Sequence, residues 1–297
     1  MTWASQAQNP GSNPGCRIMV KAYAPAHITG FFKICENDDP MLMGSIGCGI
    51  ALKDGCVTEV NLSDETSIQI NGIKTDAPTT SYVVSRLAKE PVSISSSFSV
   101  PIDGGFGASG SGALSTAFAL NKLFCLNMTV TEVGKVAHEA EIKNKTGLGD
   151  VISQMHGGLV IRKEAGSPGV GIIDRIPVPA DKSEVGYLTL GKMSTKSVLK
   201  DRRAVKEINI CGQKAMKDLL KLPTLDNFMR LSKRFAIETG LISKKAKDVI
   251  EACETEGGQA SMAMLGDVVF AVGKFEALSS FGDVGICNIS YSGARLL

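Results

Sequence analysis

The sequence has little net charge of either sign, no paired-cysteine motif and no long apolar run, and each shortage closes off a class of function. Thirty-two Lys and Arg against 30 Asp and Glu leave a formal net charge of +2. No overall field therefore draws the chain to nucleic acid or to an anionic membrane surface, and a small-molecule partner is expected. The eight cysteines (Cys16, Cys35, Cys48, Cys56, Cys125, Cys211, Cys253, Cys287) are scattered, without a C-x-x-C pair or ordered Cys/His clustering. That excludes a tetrahedral zinc site of the usual spacing and fits a reduced, cytoplasmic setting. The best apolar run, 262–272, is interrupted by Asp267 and is too short to span a bilayer. The opening segment MTWASQAQNPGSNPGC lacks the basic start and apolar stretch of a secretory signal. It reads as an unstructured extension over 1–17, with Met19 a candidate natural start.

What the chain has in excess is glycine: 32 of 297 residues, about 11% against a usual share of about 7%. Aromatic residues, by contrast, make up 5%, with one Trp. Surplus glycine points to backbone angles other residues resist, or to close approach of backbone to a ligand. With 43% apolar and 21% charged residues the chain is globular, and its length suits two cores at roughly 150 residues per domain.

Short apolar stretches alternating with Gly, Asp and Pro over 18–62 predict several strands joined by turns. VSISSSFSV (92–100) alternates with period two and predicts a half-exposed strand with Ser on one face. Helices follow. ALSTAFALNKLF places Leu114, Ala117 and Phe118 at helical spacing, and Thr129 with Glu132 forms a capping box for a helix burying Val133, Val136, Ala137 and Ala140. That helix runs into the Gly-rich KTGLGD, followed by a strand, GGLVIR. Two prolines and charges in PVPADKSE place a domain boundary there, giving domains over 18–176 and 183–297. The second half reads as strand VGYLTL, four basic amphipathic helical stretches (195–208, 211–221, 224–238, 243–255), then strands DVVFAV and GICNISY: an α+β unit.

The densest chemical signal is PIDGGFGASGSGALS (101–115), five glycines and three serines leading into a helix. Such a segment can wrap a phosphate with backbone N–H groups at the positive end of the helix dipole. A dinucleotide G-x-G-x-x-G reading of Gly105, Gly107 and Gly110 is disfavoured, because the preceding strand alternates with serines and ends at Pro101 instead of being a buried apolar run. A Walker A loop is excluded, since Ala113 follows Gly112 where a lysine is required.

The segment resembles the phosphate loop P-x-x-x-G-x-G-x-S-S-A of the GHMP kinase superfamily, with two Ser/Gly residues rearranged. AYAPAHITGFF (22–32) resembles the first motif of that superfamily, with Pro25-Ala26-His27 in place of Pro-Gly-Lys. HEAEIKNKTGLGDVISQMHGG (138–158) resembles the stretch that carries its acidic metal ligand and catalytic aspartate. APAHITGFF, GGFGASGSGALS, TGLGDVISQMHGG and SMAMLGDVVFAV together resemble the archaeal pantoate kinase family, from about residue 20 to the C-terminus. His27 departs from the superfamily lysine and agrees with that branch. The superfamily's third, Gly-rich motif is thin here: GGQASMAML offers Gly257 and Gly258 only.

The resemblance implies a two-domain α+β GHMP architecture with the ATP site between the domains, and ATP and Mg²⁺ as co-substrate and cofactor. It also implies a cytoplasmic homodimer that phosphorylates the 4-hydroxyl of pantoate for coenzyme A synthesis. Asp150 becomes the catalytic aspartate, and Gly105, Gly107, Ala108, Ser109, Gly110, Ser111 and Gly112 the nucleotide loop. The metal ligands are one serine and one glutamate. Ser111 with Glu141 is preferred, since helical geometry sets Glu141 nearer the buried face than Glu139, while Ser109 and Glu139 stay open. A carboxylated substrate calls for a cation, and Arg162, twelve residues after Asp150, is the candidate, with His27 as a second substrate contact. His138 and His156 read as structural or surface residues, and Lys196 as a helix-capping or solvated one. Other readings are a mevalonate, shikimate or homoserine kinase of the same superfamily, a ligand-binding protein on the same fold, and a nicotinamide-dependent oxidoreductase.

Overall fold

The computed structural model describes residues 19–191 and 201–297; the expected extension over 1–17, Cys16 and Lys196 lie outside them. Two strands dominate the first half, β1 (Val20–Cys35) and β2 (Gly44–Leu62), paired antiparallel almost end to end. Of the turns expected over 18–62, one joins the two strands at 36–43, and within each strand there is none. Pro25 sits at a register shift between Pro25 and Ala26, where a missing N–H costs no ladder bond. The glycines are there for contact: a Cβ on Gly55 or Gly49 would collide with β1 backbone or the His27 ring.

Around this hairpin the sheet order is β12-β1-β2-β5-β3-β4, with β3 (Ser67–Ile70), β4 (Ile73–Lys74), β5 (Val92–Phe98) and β12 (Arg295–Leu296). β6 (Leu159–Arg162) pairs with the other end of β2, and β7 (Ile173–Ile176) pairs with β6. β5 keeps its expected alternation, with Val92, Ile94 and Ser96 buried. Four helices belong to this half: α1 (Pro78–Leu87), α2 (Ala108–Leu123), α3 (Val130–Asn144) and the short α4 (Asp150–His156). α2 packs directly on β1 and β2. The capping box at Thr129 and Glu132 starts α3 as expected.

A second antiparallel sheet has the order β11-β8-β10-β9, with β8 (Glu184–Gly191), β9 (Gln259–Met262), β10 (Asp267–Val272) and β11 (Val284–Asn288). It carries α5 (Arg202–Lys221), α6 (Leu225–Glu238) and α7 (Lys244–Thr255). Two of the four expected helices, 195–208 and 211–221, are one helix from Arg202 onward, because Gly212 does not end it. It allows close approach instead: a Cβ there would strike the Phe32 carbonyl of β1.

The far half of β1 thereby joins the second core. Phe31 and Phe32 pack against Phe228 and Phe235 of α6, and Phe228 against Phe270 of β10, with ring centroids 5.9–6.5 Å apart. Removing one such ring costs about 3–5 kcal/mol, so this seam ties the second sheet firmly to the β1–β2 hairpin. The chain end closes back on the first sheet through Leu52–Ile289 and β12.

Candidate active site

The link between β5 and α2 turns on glycines in left-handed backbone, Gly105 (φ 78°) and Gly107 (φ 60°), conformations an L side chain resists. Gly107 caps α2 without any side-chain hydrogen bond, and the first turn of the helix carries no acidic residue. The first N–H groups of α2 therefore have no helical acceptor and stand at the positive end of its dipole, a site for an anion. The turn between β9 and β10 lies on this loop: a Cβ on Gly266 would strike the Gly104 carbonyl, and Met264 N–H donates to Thr29 O at 2.9 Å. The thin third motif thus reaches the phosphate loop through Met264 and the glycine that follows the motif, Gly266.

Together these segments bound a cavity of about 580 Å³. Ile70, Ala77, Pro78, Phe98 and Ile102 give it an apolar wall; Gly105, Gly107, Ala108, Ser109 and Gly112 supply loop and helix backbone; Asp150 and Arg162 supply charge. Asp150 is the first residue of α4, and its carboxylate, about one-fifth exposed, accepts from His27 across 2.7 Å between Oδ1 and Nδ1.

His27 is fully buried and absent from the cavity lining, with Nε2 unpartnered. Burial lowers its pKa, against the opposing pull of Asp150, so the neutral ring donates from Nδ1 to Asp150. Where a direct substrate contact is expected from the sequence, His27 instead stands behind Asp150, bonded to its carboxylate and off the cavity surface.

Glu141, buried near the C-terminus of α3, accepts from Thr146 Oγ1 at 2.7 Å on Oε1 and has Oε2 unpartnered. Burial, helped by the nearby Asp150 charge, pushes its pKa up to about 7, while Thr146 and Ser109 hold it down. Gly147 separates the two carboxylates. A Cβ there would strike Glu141 Oε2 and lie 3.2 Å from Asp150 Oδ2, so both converge on one small space.

Ser109 lines the cavity beside this pair. Ser111 does not: its hydroxyl is buried and donates to Ala108 O at 3.1 Å, inside the helix. Glu139 faces the other way, 3.8 Å from Arg86 and 3.9 Å from Lys143. Of the two serines, Ser109 thus stands at the cavity, and of the two glutamates, Glu141 is the one turned toward Asp150. Among the described residues no three His, Cys, Asp or Glu side chains converge to cage a metal. An orphaned buried carboxylate oxygen beside Asp150 and a hydroxyl suits a hard divalent cation that keeps waters and phosphate oxygens.

Arg162 is 1% exposed at the end of β6. One guanidinium nitrogen donates to Ser153 Oγ at 3.1 Å, and Nε is unpartnered. Burial lowers its pKa, with Asp150 acting in the opposite sense, and no carboxylate among the described residues closes an ion pair with it. Such a buried cation is costly unless something anionic meets it. Thr29, Ser45, Lys145 and Thr146 also line the cavity; sequence reasoning missed them, though Thr146 stood beside the catalytic motif. His138 is buried, its Nε2 within 3.1 Å of the Pro40 and Met43 carbonyls.

Glu141 gives a pH prediction. Its pKa in the folded protein, about 7, stands above the ordinary 4.5, so the folded state binds the extra proton between these values. The stability this contributes is full below the ordinary value and is lost as pH rises through about 7. Thermal unfolding of the nucleotide-free protein should show a midpoint that falls from about pH 5 to pH 8, and Glu141→Gln should flatten that fall. An unchanged slope in the variant would place the effect elsewhere.

Residues 78–158 match the family model for the GHMP kinases N terminal domain. The chain is 37% identical over 278 residues to a pantoate kinase of Methanocaldococcus jannaschii, covering 91% of this chain and all of that one. It is 36% identical to the pantoate kinase of Thermococcus kodakarensis, covering 86% of this chain and 88% of that one. A solved structure described as a phosphotransferase related to the CoA biosynthesis pathway superposes with a TM-score of 0.85 at 30% identity, covering 94% of this chain and 99% of that one.

Proposed function

This chain belongs to the pantoate kinase family of GHMP kinases, and from that premise we propose that it transfers the γ-phosphoryl group of ATP to the 4-hydroxyl of pantoate, giving 4-phosphopantoate for coenzyme A synthesis. One observation carries the class of acceptor, a hydroxy acid, while pantoate among such acids follows from the relatives: a buried arginine without a carboxylate partner, Arg162, opens on the same cavity as Asp150 and the phosphate loop. A substrate that is both an alcohol and a carboxylate satisfies both groups at once.

In this reading Asp150, held by neutral His27, takes the proton of the acceptor hydroxyl as its oxygen bonds to the γ-phosphorus. The bond from that phosphorus to the β–γ bridging oxygen breaks, and ADP leaves. The free N–H groups at the start of α2 hold the phosphates, and the apolar wall from Ile70 to Ile102 takes the base. Ser109 and Glu141 would hold Mg²⁺, which when bound offsets the charge of the phosphates. Arg162 orients the carboxylate of the substrate. The family reading also supports a cytoplasmic homodimer, and domains divided at 176–183.

The decisive assay is ADP release by purified protein with Mg·ATP and, in turn, pantoate, mevalonate, shikimate or homoserine. Turnover with pantoate is expected. Its absence alongside turnover of another acceptor would overturn the assignment.

The assignment of Ser109 over Ser111 is tested separately. Ser109→Ala should raise the Mg²⁺ concentration for half-maximal rate by about tenfold, whereas Ser111→Ala, which removes only a bond inside the helix, should leave it within about twofold. The reverse ranking would restore Ser111 as the ligand.

A further inference from the structure

Gln154 is a fully buried amide on α4 that none of the roles above uses. Its Nε2 donates to the carbonyl of Gly107 at 2.8 Å, the same carbonyl that accepts the first helical bond of α2, from Ser111 N at 3.0 Å. Its Oε1 has no partner and lies against Gly110, where a Cβ would stand 2.8 Å away. Asp150 and Gln154 are four residues apart on α4, one above the other on a single face. That face meets the phosphate loop directly: a Cβ on Gly107 would be 2.9 Å from Gln154 Nε2 and 3.0 Å from Asp150 Cγ.

We propose that Gln154 is a positioning residue that fixes the phosphate loop relative to the catalytic carboxylate, by pinning the Gly107 carbonyl from the helix that carries Asp150. The inference rests on the kinase reading given above.

Three observations support the claim. Gly107 has left-handed backbone and no side-chain cap, so little in its own sequence sets the direction of its peptide, and that direction aims the N–H groups that follow it. α4 is a firm base for such a pin. Ser153 Oγ closes on Gly149 O at 3.0 Å, and the backbone of Gln154 itself accepts from Ala294 N at 3.0 Å. Finally, an apolar side chain of similar volume would fill the site without leaving a carbonyl oxygen buried and unpartnered, a state that costs free energy. The amide has a use that offsets this cost, and the Gly107 bond is the one it makes.

The test uses Gln154→Met, which keeps volume and removes the amide, and Gln154→Glu, which keeps shape and sets an acceptor against the Gly107 carbonyl. Mg·ATP affinity is measured by calorimetric titration and kcat and KM by initial rates, each protein held about 20 °C below its own unfolding midpoint. At least one folded variant should bind ATP about tenfold more weakly and lose kcat about tenfold, with KM for the acceptor within about twofold.

ATP affinity and kcat both within about threefold of the parent in every folded variant would overturn the proposal, as would losses confined to KM for the acceptor. If neither variant folds, Gln154→Asn, which keeps the amide but cannot span the gap, takes their place on the same criteria. The titration needs no acceptor, so the proposal can fail or stand whichever alcohol the parent protein phosphorylates.

Discussion

Asp150→Asn is expected to lower kcat by about 10³-fold while leaving the affinity for Mg·ATP within about threefold, in line with the usual worth of a positioned proton acceptor. The substitution keeps the shape and the contact with His27 Nδ1, 2.7 Å away, and removes the negative charge that accepts the hydroxyl proton. Neutral His27 matters here. Burial lowers its pKa, so the bond it makes to Asp150 is that of a neutral ring donating from Nδ1. Single-turnover phosphoryl transfer separates this chemical step from binding. A loss of less than about tenfold would show that another group takes the proton.

Arg162→Met should have the second-largest effect, on a different parameter. The kcat/KM for pantoate is expected to fall by about 10²–10³-fold, mostly through KM, since the variant removes the cation that meets the carboxylate. The same change should leave the thermal midpoint unchanged or raise it by a few degrees, because a buried charge without an ion-pair partner is a burden on the free protein. Few binding-site substitutions carry opposite signs for stability and activity, so measuring both is diagnostic. Arg162→Lys should recover only part of the loss, because an ammonium cannot present two parallel N–H groups to a carboxylate or keep the reach to Ser153. A KM for pantoate within about threefold of the parent in the Met variant would remove Arg162 from the substrate site.

Local chemistry wrote some parts of the site legibly into the sequence. The phosphate loop could be read because its glycines take left-handed backbone that other residues resist, and because the helix after it is strongly patterned. The capping box of α3 was legible for the same reason: both partners lie within one turn. The choice between Ser109 and Ser111 was not. It depends on where α2 begins, and in a run of Gly, Ala and Ser no residue marks that point. With Ala108 as the first helical residue, Ser109 is left at the cavity and Ser111 turns back on the helix.

The role of His27 shows the same limit at longer range. It lies 123 residues from Asp150 in sequence, and they meet only because β1 passes beside the start of α4, with Gly49 on β2 leaving room for the ring. The prolines and glycines of 18–62 misled for a related reason. Pairing along nearly the whole of β1 and β2 outweighs their local preference for turns, and a register shift absorbs Pro25.

By itself, then, the sequence determined the elements whose cause is local: the glycine loop, the helix starts, the carboxylate-bearing motif and, through its ordered motifs, the family. Tertiary structure alone decided which polar groups share a cavity and in what state. The lowered pKa of buried Arg162, the raised pKa of Glu141 and the lowered pKa of His27 all follow from loss of water around them. Desolvation is set by what packs from distant parts of the chain, and no window of sequence contains it.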